Sequence, residues 1–474
     1  MAGQHRLHQE RLQVEALDEA AVLVAVHLPD ARFDPRDPLG ELRALAETAG
    51  ARVVGELVQN RNRPEPGTYM GTGKLDELAN FREEVGAKVI IFDNDLSPSQ
   101  IRNIEQVVKC KVIDRSELIL DIFAGRATTA AAKLQVELAQ LEYTYPRLRA
   151  MWSHLGQITG GAPVGIGTRG PGETQIETDR RLVQRRKAML KRRLAEINRR
   201  HAREIARRRR ENFTVSLVGY TNAGKSTLFN ALTEPSGGGG AYADNRLFAT
   251  LTTRSRRWPL GSGDEALLSD TVGFVRDLPH HLVASFRATL EDALFADLLL
   301  IVLDVSDPQA ELQYEVVQET LDALERDWAE EIAEDAGAEA WPDDPDARER
   351  WRESMALRPK RLLVLNKIDR LSDHSERAIW AQREPTALAV SARSGEGIED
   401  LRDRVLEIMR GETRRMEVTL PYSAAKALNF AETRGEVLDR DYGPNEVRLT
   451  VKLGVGHVDQ LRSMGATVTV DGEV

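Results

Sequence analysis

Blocks of apolar and polar positions set the first outline of the chain. Residues 1 to about 16 are polar throughout, and the segment 17–125 then alternates short apolar runs with helical patterns. "AAVLVAVHL" (20–28), "ARVVGELV" (51–58) and "AKVIIFDND" (87–95) are continuous enough to predict strands. "LGELRALAETAG" (39–50) and "KLDELANFREEV" (74–85) carry apolar positions at helical spacing. Such alternation predicts a small α/β domain with a mostly parallel sheet.

The period changes at about 126. "TTAAAKLQVELAQLEYTYPRLRAMWSHL" (128–155) predicts a long helix, bent near Pro146. Seven glycines follow within residues 156–173, which predicts a mobile loop. In the next helix Leu190, Leu194, Ile197 and Ile205, with His201 between, recur every three or four positions and form one narrow stripe. Two one-striped helices joined by a loop predict an antiparallel hairpin over 126–210 with a glycine-rich tip.

Strand-like runs return over 211–411: "FTVSLVG", "LLSDTVG", "DLLLIVLDV", "RLLVLNKID" and "TALAVSA". The acidic, proline-interrupted stretch 326–358 predicts a solvated insertion, with Trp328, Trp341 and Trp351 available to tack it down. The last segment, 415–474, offers "RRMEVTL", "NEVRLTVKL" and "ATVTV" as strands of a small α+β domain.

Composition narrows the function classes. At 474 residues, 41% hydrophobic and 30% charged, the chain is expected to be soluble and to hold several cores. A single cysteine, Cys110, excludes an internal disulfide and suits a small apolar packing role. The polar opening "MAGQHRLHQERL" does not resemble a secretory signal, and "ADLLLIVLDV" (296–305) is too short to span a bilayer. A cytoplasmic location is the expectation. The net charge of −10 hides a strong asymmetry: residues 180–210 hold 15 Arg and Lys against Glu196 and Glu204, a local charge of +13. One intensely basic element on an acidic chain predicts a localised nucleic-acid contact.

The chemistry lies in 211–411. "GYTNAGKST" (219–227) follows a strand, opens a helix and fits G-x-x-x-x-G-K-[ST]. Gly219, Tyr220, Thr221, Asn222, Ala223 and Gly224 would curl their backbone around phosphates. Lys225 would reach the β/γ-phosphates, Ser226 would bind Mg²⁺, and Thr227 continues the helix. "DTVG" adds Asp270, Thr271, Val272 and Gly273: a carboxylate for Mg²⁺, through water, and an N–H for the γ-phosphate. "NKID" adds Asn366, Lys367, Ile368 and Asp369, whose carboxylate can accept from guanine N1–H and N2 but finds no donor on adenine. Ser391, Ala392 and Arg393 open "SARSGEG" and offer backbone to the guanine O6. Four ordered motifs predict a GTP site. A switch threonine is expected within "NRLFATLTTRSRRW" (245–258), where Thr250, Thr252 and Thr253 compete. Thr250, flanked by Phe248 and Ala249, is favoured as the third magnesium ligand, and Lys225, Thr250 and Gly273 form the predicted catalytic set.

Two residues carry open alternatives. Ras-like switches place a water-orienting glutamine after the DxxG glycine; here stands Phe274. Its ring either packs beneath the switch or leaves a catalytic gap that a partner or a cation fills, because phenylalanine cannot hydrogen-bond water. An intact magnesium and γ-phosphate set favours a slow GTPase stimulated by a partner. Asn222 either tolerates a loop conformation or directs its side-chain oxygen to a K⁺ ion beside the phosphates.

Beyond the GTP motifs stand "RPEPGTYMGTGKLDEL" (63–78), "DIFAGRA" (121–127), "KLQVELAQLEYTYPRL" (133–148) with "WSHL" (152–155), "GIGTRGPGETQIETDRR" (165–181), "LFATL" (247–251) and "DTVGFV". In these stretches the chain resembles the HflX family, ribosome-associated GTPases that split ribosomes. The resemblance covers about 20 to 470, and "LFATL" supports Thr250. Two departures stand out: "TTRS" (252–255) replaces the Asp-Pro-Thr expected after "FATL", and the acidic insertion is longer than usual. The resemblance implies a multidomain α/β protein. Its parts are an α/β N-terminal domain (17–125), a helical hairpin (126–210), a Ras-like P-loop G domain (211–411) and a small α+β C-terminal domain (415–474). It also implies docking on the large ribosomal subunit with the hairpin tip toward the peptidyl-transferase region. Arg169, Gly170, Gly172, Glu173 and Gln175 of the tip, and Arg185, Arg186, Arg192 and Arg193 of the basic helix, are the candidate rRNA contacts. The function expected is a GTPase that binds the large subunit and splits stalled or idle ribosomes, acting as a monomer. The alternative is an RNA-binding module gated by GTP, acting on free rRNA or in subunit assembly. A membrane-associated regulatory GTPase is a weaker third, since no anchor is visible.

Overall fold

The computed structural model describes residues 19–143, 181–197, 199–200, 212–233, 248, 253–261, 263–276, 296–336, 359–371, 375–411 and 413–470. The chain divides into two compact units.

In the first unit, β1 (Ala20–His27), α1 (Gly40–Thr48), β2 (Arg52–Asn60), α2 (Thr72–Val85), β3 (Val89–Phe92), α3 (Pro98–Val108), β4 (Lys111–Asp114) and α4 (Arg115–Arg126) alternate. Their strands form one sheet in the order β2-β1-β3-β4, and every pairing is parallel. β1 and β3 are central and buried along their whole length, as strands covered by helices on both faces must be. Edge strand β2 shows the mixed exposure of a strand with one open side. α3 begins in a reciprocal capping box: Gln100 N–H donates to Ser97 Oγ while Ser97 N–H donates to Gln100 Oε1, with Pro98 at the first turn. The four-residue β4 was too short to register as a periodic signal. Helical residues 130–143 and 181–197 meet through Leu138, Leu190 and Leu194, so two residues of the predicted stripe pack against another helix. Ion pairs flank the contact: Arg186 with Glu137, and Lys187 and Lys191 with Glu142. The glycine-rich tip lies outside the described residues.

The second unit holds a six-stranded sheet built from β5 (Phe213–Gly219), β6 (Arg254–Gly261), β7 (Asp264–Asp270), β8 (Leu298–Asp304), β9 (Lys360–Asn366) and β10 (Leu388–Ala389), in the order β10-β9-β8-β5-β7-β6. All pairings are parallel except β6 on β7. The helices α5 (Lys225–Thr233), α6 (Ala310–Ala336), α7 (Ser375–Arg383) and α8 (Ile398–Arg410) complete this α/β layer. β6 is not among the strands expected from the sequence, where 245–258 is offered only as the place of a switch threonine. From Arg254 onward the chain is an edge strand, fixed by the buried Trp258 and Leu260 at alternating positions. α6 also runs to Ala336, so the first residues of the expected solvated insertion are the last turns of a helix; 337–358 lie outside the described residues.

The same unit contains β11 (Thr413–Pro421), α9 (Ala425–Arg434), β12 (Glu436–Tyr442), β13 (Glu446–Gly454), α10 (Val458–Ser463) and β14 (Thr467–Val470). Their sheet, β12-β13-β11-β14, is antiparallel and turns one face onto the two helices. It is bolted to the larger sheet at Asp264, the first residue of β7. This buried carboxylate accepts from Arg410 at the end of α8 (2.9 Å) and from Arg434 at the end of α9, with His457 Nε2 4.0 Å away. Among the described residues no helix is long and apolar enough to cross a membrane.

Candidate nucleotide site

The parallel strands of the second unit finish on one edge: β5 at Gly219, β7 at Asp270, β8 at Asp304, β9 at Asn366 and β10 at Ala389. Open parallel sheets bind ligands beyond these carboxyl ends, and each predicted motif is located there.

The loop between β5 and α5 is shaped by contacts that only small residues permit. Gly219 has φ 149°, and a Cβ on it would collide with the Val302 carbonyl of β8. Gly224 has φ 90°, and a Cβ there would collide with Asn366 Nδ2. Asn222 sits at φ 63°, the left-handed conformation expected of a loop asparagine. Lys225 opens α5 and is buried; its Nζ donates to Gly219 O (3.0 Å) and Tyr220 O (2.7 Å). Burial lowers its pKa to about 8; Asp270 pulls it up again and Lys367 adds to the lowering. The site therefore holds a desolvated cation among backbone dipoles, the setting in which a polyanion gains most.

Ser226 Oγ donates to Asp270 Oδ2 at 2.7 Å, so the hydroxyl and the carboxylate assigned to magnesium face one another. Thr271 anchors the strand end by donating to Leu217 O (2.7 Å). Val272 is buried, and Gly273 lies against the phosphate loop: a Cβ there would stand 2.9 Å from both Thr221 Cα and Lys225 Nζ. Thr221 is buried and Thr227 half-buried within the first turn of α5.

Phe274 has a definite place. It pairs with Tyr220 as an isolated parallel bridge: Phe274 N–H donates to Gly219 O (3.0 Å) and Thr221 N–H donates to Phe274 O (2.7 Å). Arg276 N–H donates to Tyr220 Oη (2.8 Å). The ring is 2% exposed. The side chain is thus buried, as an apolar packing role requires, while switch residues 249–252 and 277–295 lie outside the described residues. The Phe274 backbone zips the DxxG segment onto the phosphate loop, a role the motif pattern did not reveal.

The base-recognition motifs interlock with that loop. Asn366 Nδ2 donates to Ala223 O (2.8 Å), and Asn366 Oδ1 accepts from Ala392 N–H (3.1 Å). Ser391 Oγ donates to Asp369 Oδ1 (2.6 Å), which aims the carboxylate. Lys367, at φ 63°, sends Nζ to Asn222 O (2.7 Å) and to Asp304 Oδ2 (2.6 Å). Ile368 begins the short 3₁₀ turn that carries Asp369, and Arg393 is exposed beside the site. Asp304 was missed by sequence reasoning; only its position at a strand end hinted at it.

Apart from Thr253, the other candidates belong to the first unit or lie outside the described residues. Phe248 groups with the first unit: its ring is 3% exposed and packs edge-to-face on Phe123 of α4, centroids 4.6 Å apart. Ala249, Thr250, Thr252, Arg169, Gly170, Gly172, Glu173 and Gln175 lie outside the described residues. Thr253 immediately precedes β6. Arg185, Arg186, Arg192 and Arg193 are all exposed on the basic helix.

Residues 36–124 match the family model described as GTP-binding GTPase N-terminal, 126–210 the GTP-binding GTPase Middle Region, and 214–333 the model described as 50S ribosome-binding GTPase. The chain is 39% identical to the protein named GTPase HflX of Lacrimispora saccharolytica, over 91% of this chain and 93% of that one. It is 41% identical to GTPase HflX of Escherichia coli, over 85% and 86% of the two chains. A GTP-binding protein from Sulfolobus solfataricus, solved in complex with GDP, is 23% identical, covers 82% of this chain and 98% of its own, and has a TM-score of 0.39.

Proposed function

The chain belongs to the HflX family of GTPases, and from that premise we propose that it binds the large ribosomal subunit in its GTP form and splits stalled or idle ribosomes. GTP hydrolysis to GDP and phosphate is the activity; the ribosomal role is the proposed part. The exposed arginines at 185, 186, 192 and 193 carry this reading, since a row of guanidiniums suits the closely spaced phosphates of rRNA. The match of 214–333 to a family described as 50S ribosome-binding is in keeping with it.

Each motif then has a task. Lys225 spans the β- and γ-phosphates, and Gly273 N–H meets the γ-phosphate, so that charge on the transferred phosphoryl group is stabilised. Ser226 and Asp270, already within hydrogen-bond distance of one another, are together with Thr250 the hard oxygen donors that Mg²⁺ prefers. When bound, the ion supplies charge neutralisation at the phosphates. Asp369 accepts from the guanine edge, the Ala392 backbone meets O6, and the Lys367 stem covers the purine face. Asn222 contributes to a K⁺ site. Because the Phe274 ring is buried, nothing at position 274 orients water, and the ribosome completes the site.

Steady-state GTP hydrolysis in K⁺ buffer tests this, with protein alone, with free rRNA and with purified large subunits. Stimulation by subunits only, followed by loss of intact ribosomes on a sucrose gradient, is expected. Equal stimulation by free rRNA would instead favour the RNA-module alternative. Equal rates in Na⁺ and K⁺ would remove the cation from the scheme.

A further inference from the structure

Lys367 is gripped from two sides, and only one grip belongs to the nucleotide motifs. Its ammonium meets the Asn222 carbonyl of the phosphate loop at 2.7 Å. On its other side stands Asp304, the last residue of β8, at 2.6 Å. The pair is well shielded, with side-chain exposures of 14% for Lys367 and 8% for Asp304.

The carboxylate is itself held. Its second oxygen accepts from Ser306 N–H (3.0 Å) and from Ser306 Oγ (2.6 Å). β8 and β9 place Asp304 directly opposite Asn366, and Val305 N–H donates to Asn366 O (3.2 Å), so the ladder continues past the strand end. The left-handed backbone at Lys367 turns its side chain back toward that end. All parts of this arrangement are rigid: a paired strand, a satisfied carboxylate and a fixed backbone turn.

We propose that Asp304 is a positioning residue for base binding, acting through Lys367. It holds the ammonium against the Asn222 carbonyl and thereby lays the four-carbon stem where the purine face must rest. Without the carboxylate the ammonium keeps one carbonyl partner, and the long side chain regains rotamers that would have to be lost again on binding. Asp304 also offsets the positive charge of Lys367 close to Lys225, where two cations compete for one loop. The purine face is common to guanine and hypoxanthine, so Asp304 should act equally on both, whereas Asp369 reads the guanine edge.

The proposal rests on Lys367 belonging to the base pocket, and the test separates the two. Full-length Asp304→Asn, Lys367→Met and the double variant are titrated with GDP and with IDP. Asp304→Asn should weaken both nucleotides about tenfold, and the double variant should bind no worse than Lys367→Met, since the two act as a unit. KM for GTP should rise while kcat changes less than about threefold. Should Asp304→Asn fold poorly, Ser306→Ala, which removes the hydroxyl bond to the carboxylate and leaves the backbone N–H bond, should weaken GDP about threefold. GDP binding within twofold of the parent in Asp304→Asn, beside a large loss in Lys367→Met, overturns the positioning role. So do losses that multiply in the double variant. If Lys367→Met itself leaves GDP binding intact, the assignment of the base pocket fails first.

Discussion

Replacing Phe274 by the glutamine that Ras-like switches use should not create a Ras-like enzyme. The ring is 2% exposed, so a glutamine inheriting its position is placed out of reach of solvent. Losing a buried phenylalanine forfeits about 2–3 kcal/mol of transfer free energy. Burying an unpaired amide costs about 1–3 kcal/mol more. The sum, about 4 kcal/mol, is a large fraction of a domain's stability and corresponds to a fall in melting temperature of about 10 °C for a domain of this size. The two backbone hydrogen bonds to Gly219 and Thr221 do not depend on the ring's identity. Phe274→Leu is therefore the matched control, expected to lose less than about 1.5 kcal/mol and to hydrolyse GTP at the parental rate. Differential scanning calorimetry and single-turnover hydrolysis, with and without large subunits, are the assays. A Phe274→Gln protein that melts like its parent and hydrolyses GTP tenfold faster alone would refute the argument, because the ring would then have to face the γ-phosphate.

Other outcomes follow from the same geometry. Gly273→Ala drives a methyl to 2.9 Å from the Thr221 backbone and from Lys225 Nζ, so single-turnover hydrolysis should fall at least about a hundredfold while GDP affinity, measured with a fluorescent analogue, stays within about threefold. Lys225 has a folded pKa of about 8 against 10.5 ordinarily; between those values the unfolded chain holds more protons than the native one, so stability should rise with pH across that window, and chemical-denaturation midpoints of Lys225→Met should lack the slope. Over the same range GDP should bind more weakly as pH rises, since its phosphates need the charged amine. Asp264→Ala leaves Arg410 and Arg434 without their shared carboxylate; allowing for their partial exposure, it should cost about 2–3 kcal/mol by urea titration. If about six of the basic-helix arginines and lysines meet phosphate, affinity for large subunits should drop about a thousandfold between 50 and 200 mM salt; a flat response would argue against the RNA contact.

The sequence made some features plain and left others hidden, and the difference is one of range. β1 was visible because seven consecutive buried residues, Ala20 to Val26, leave an unbroken apolar run, and the phosphate loop because Gly219, Gly224 and Lys225 must stand at fixed spacing for one chemistry. The stripe of Leu190 and Leu194 announced a helix partner and found Leu138. Contacts that depend on tertiary placement left no such trace. Asp304 is a lone carboxylate 63 positions from its lysine. Asp264 meets Arg410 and Arg434 across 146 and 170 residues. Phe248 sits among nucleotide motifs in sequence and against Phe123 in space. β6 was hidden for a different reason: its arginine-rich face reads as loop, and only Trp258 and Leu260 point inward.

β7 is seven residues long and has a different master at each end. Asp264 at its start is clasped by Arg434 at the end of α9, and Asp270 at its finish faces Ser226 at the phosphate loop. A strand of that length is a stiff rod of roughly 20 Å, so the two ends cannot loosen separately. Slow-exchanging amides of the nucleotide core and of the small C-terminal sheet should then belong to one cooperative folding unit. Trimming the chain after Gly411 would not merely remove an appendage: it would strip Asp264 of a partner and lower protection at the other end of the rod, where the nucleotide is held.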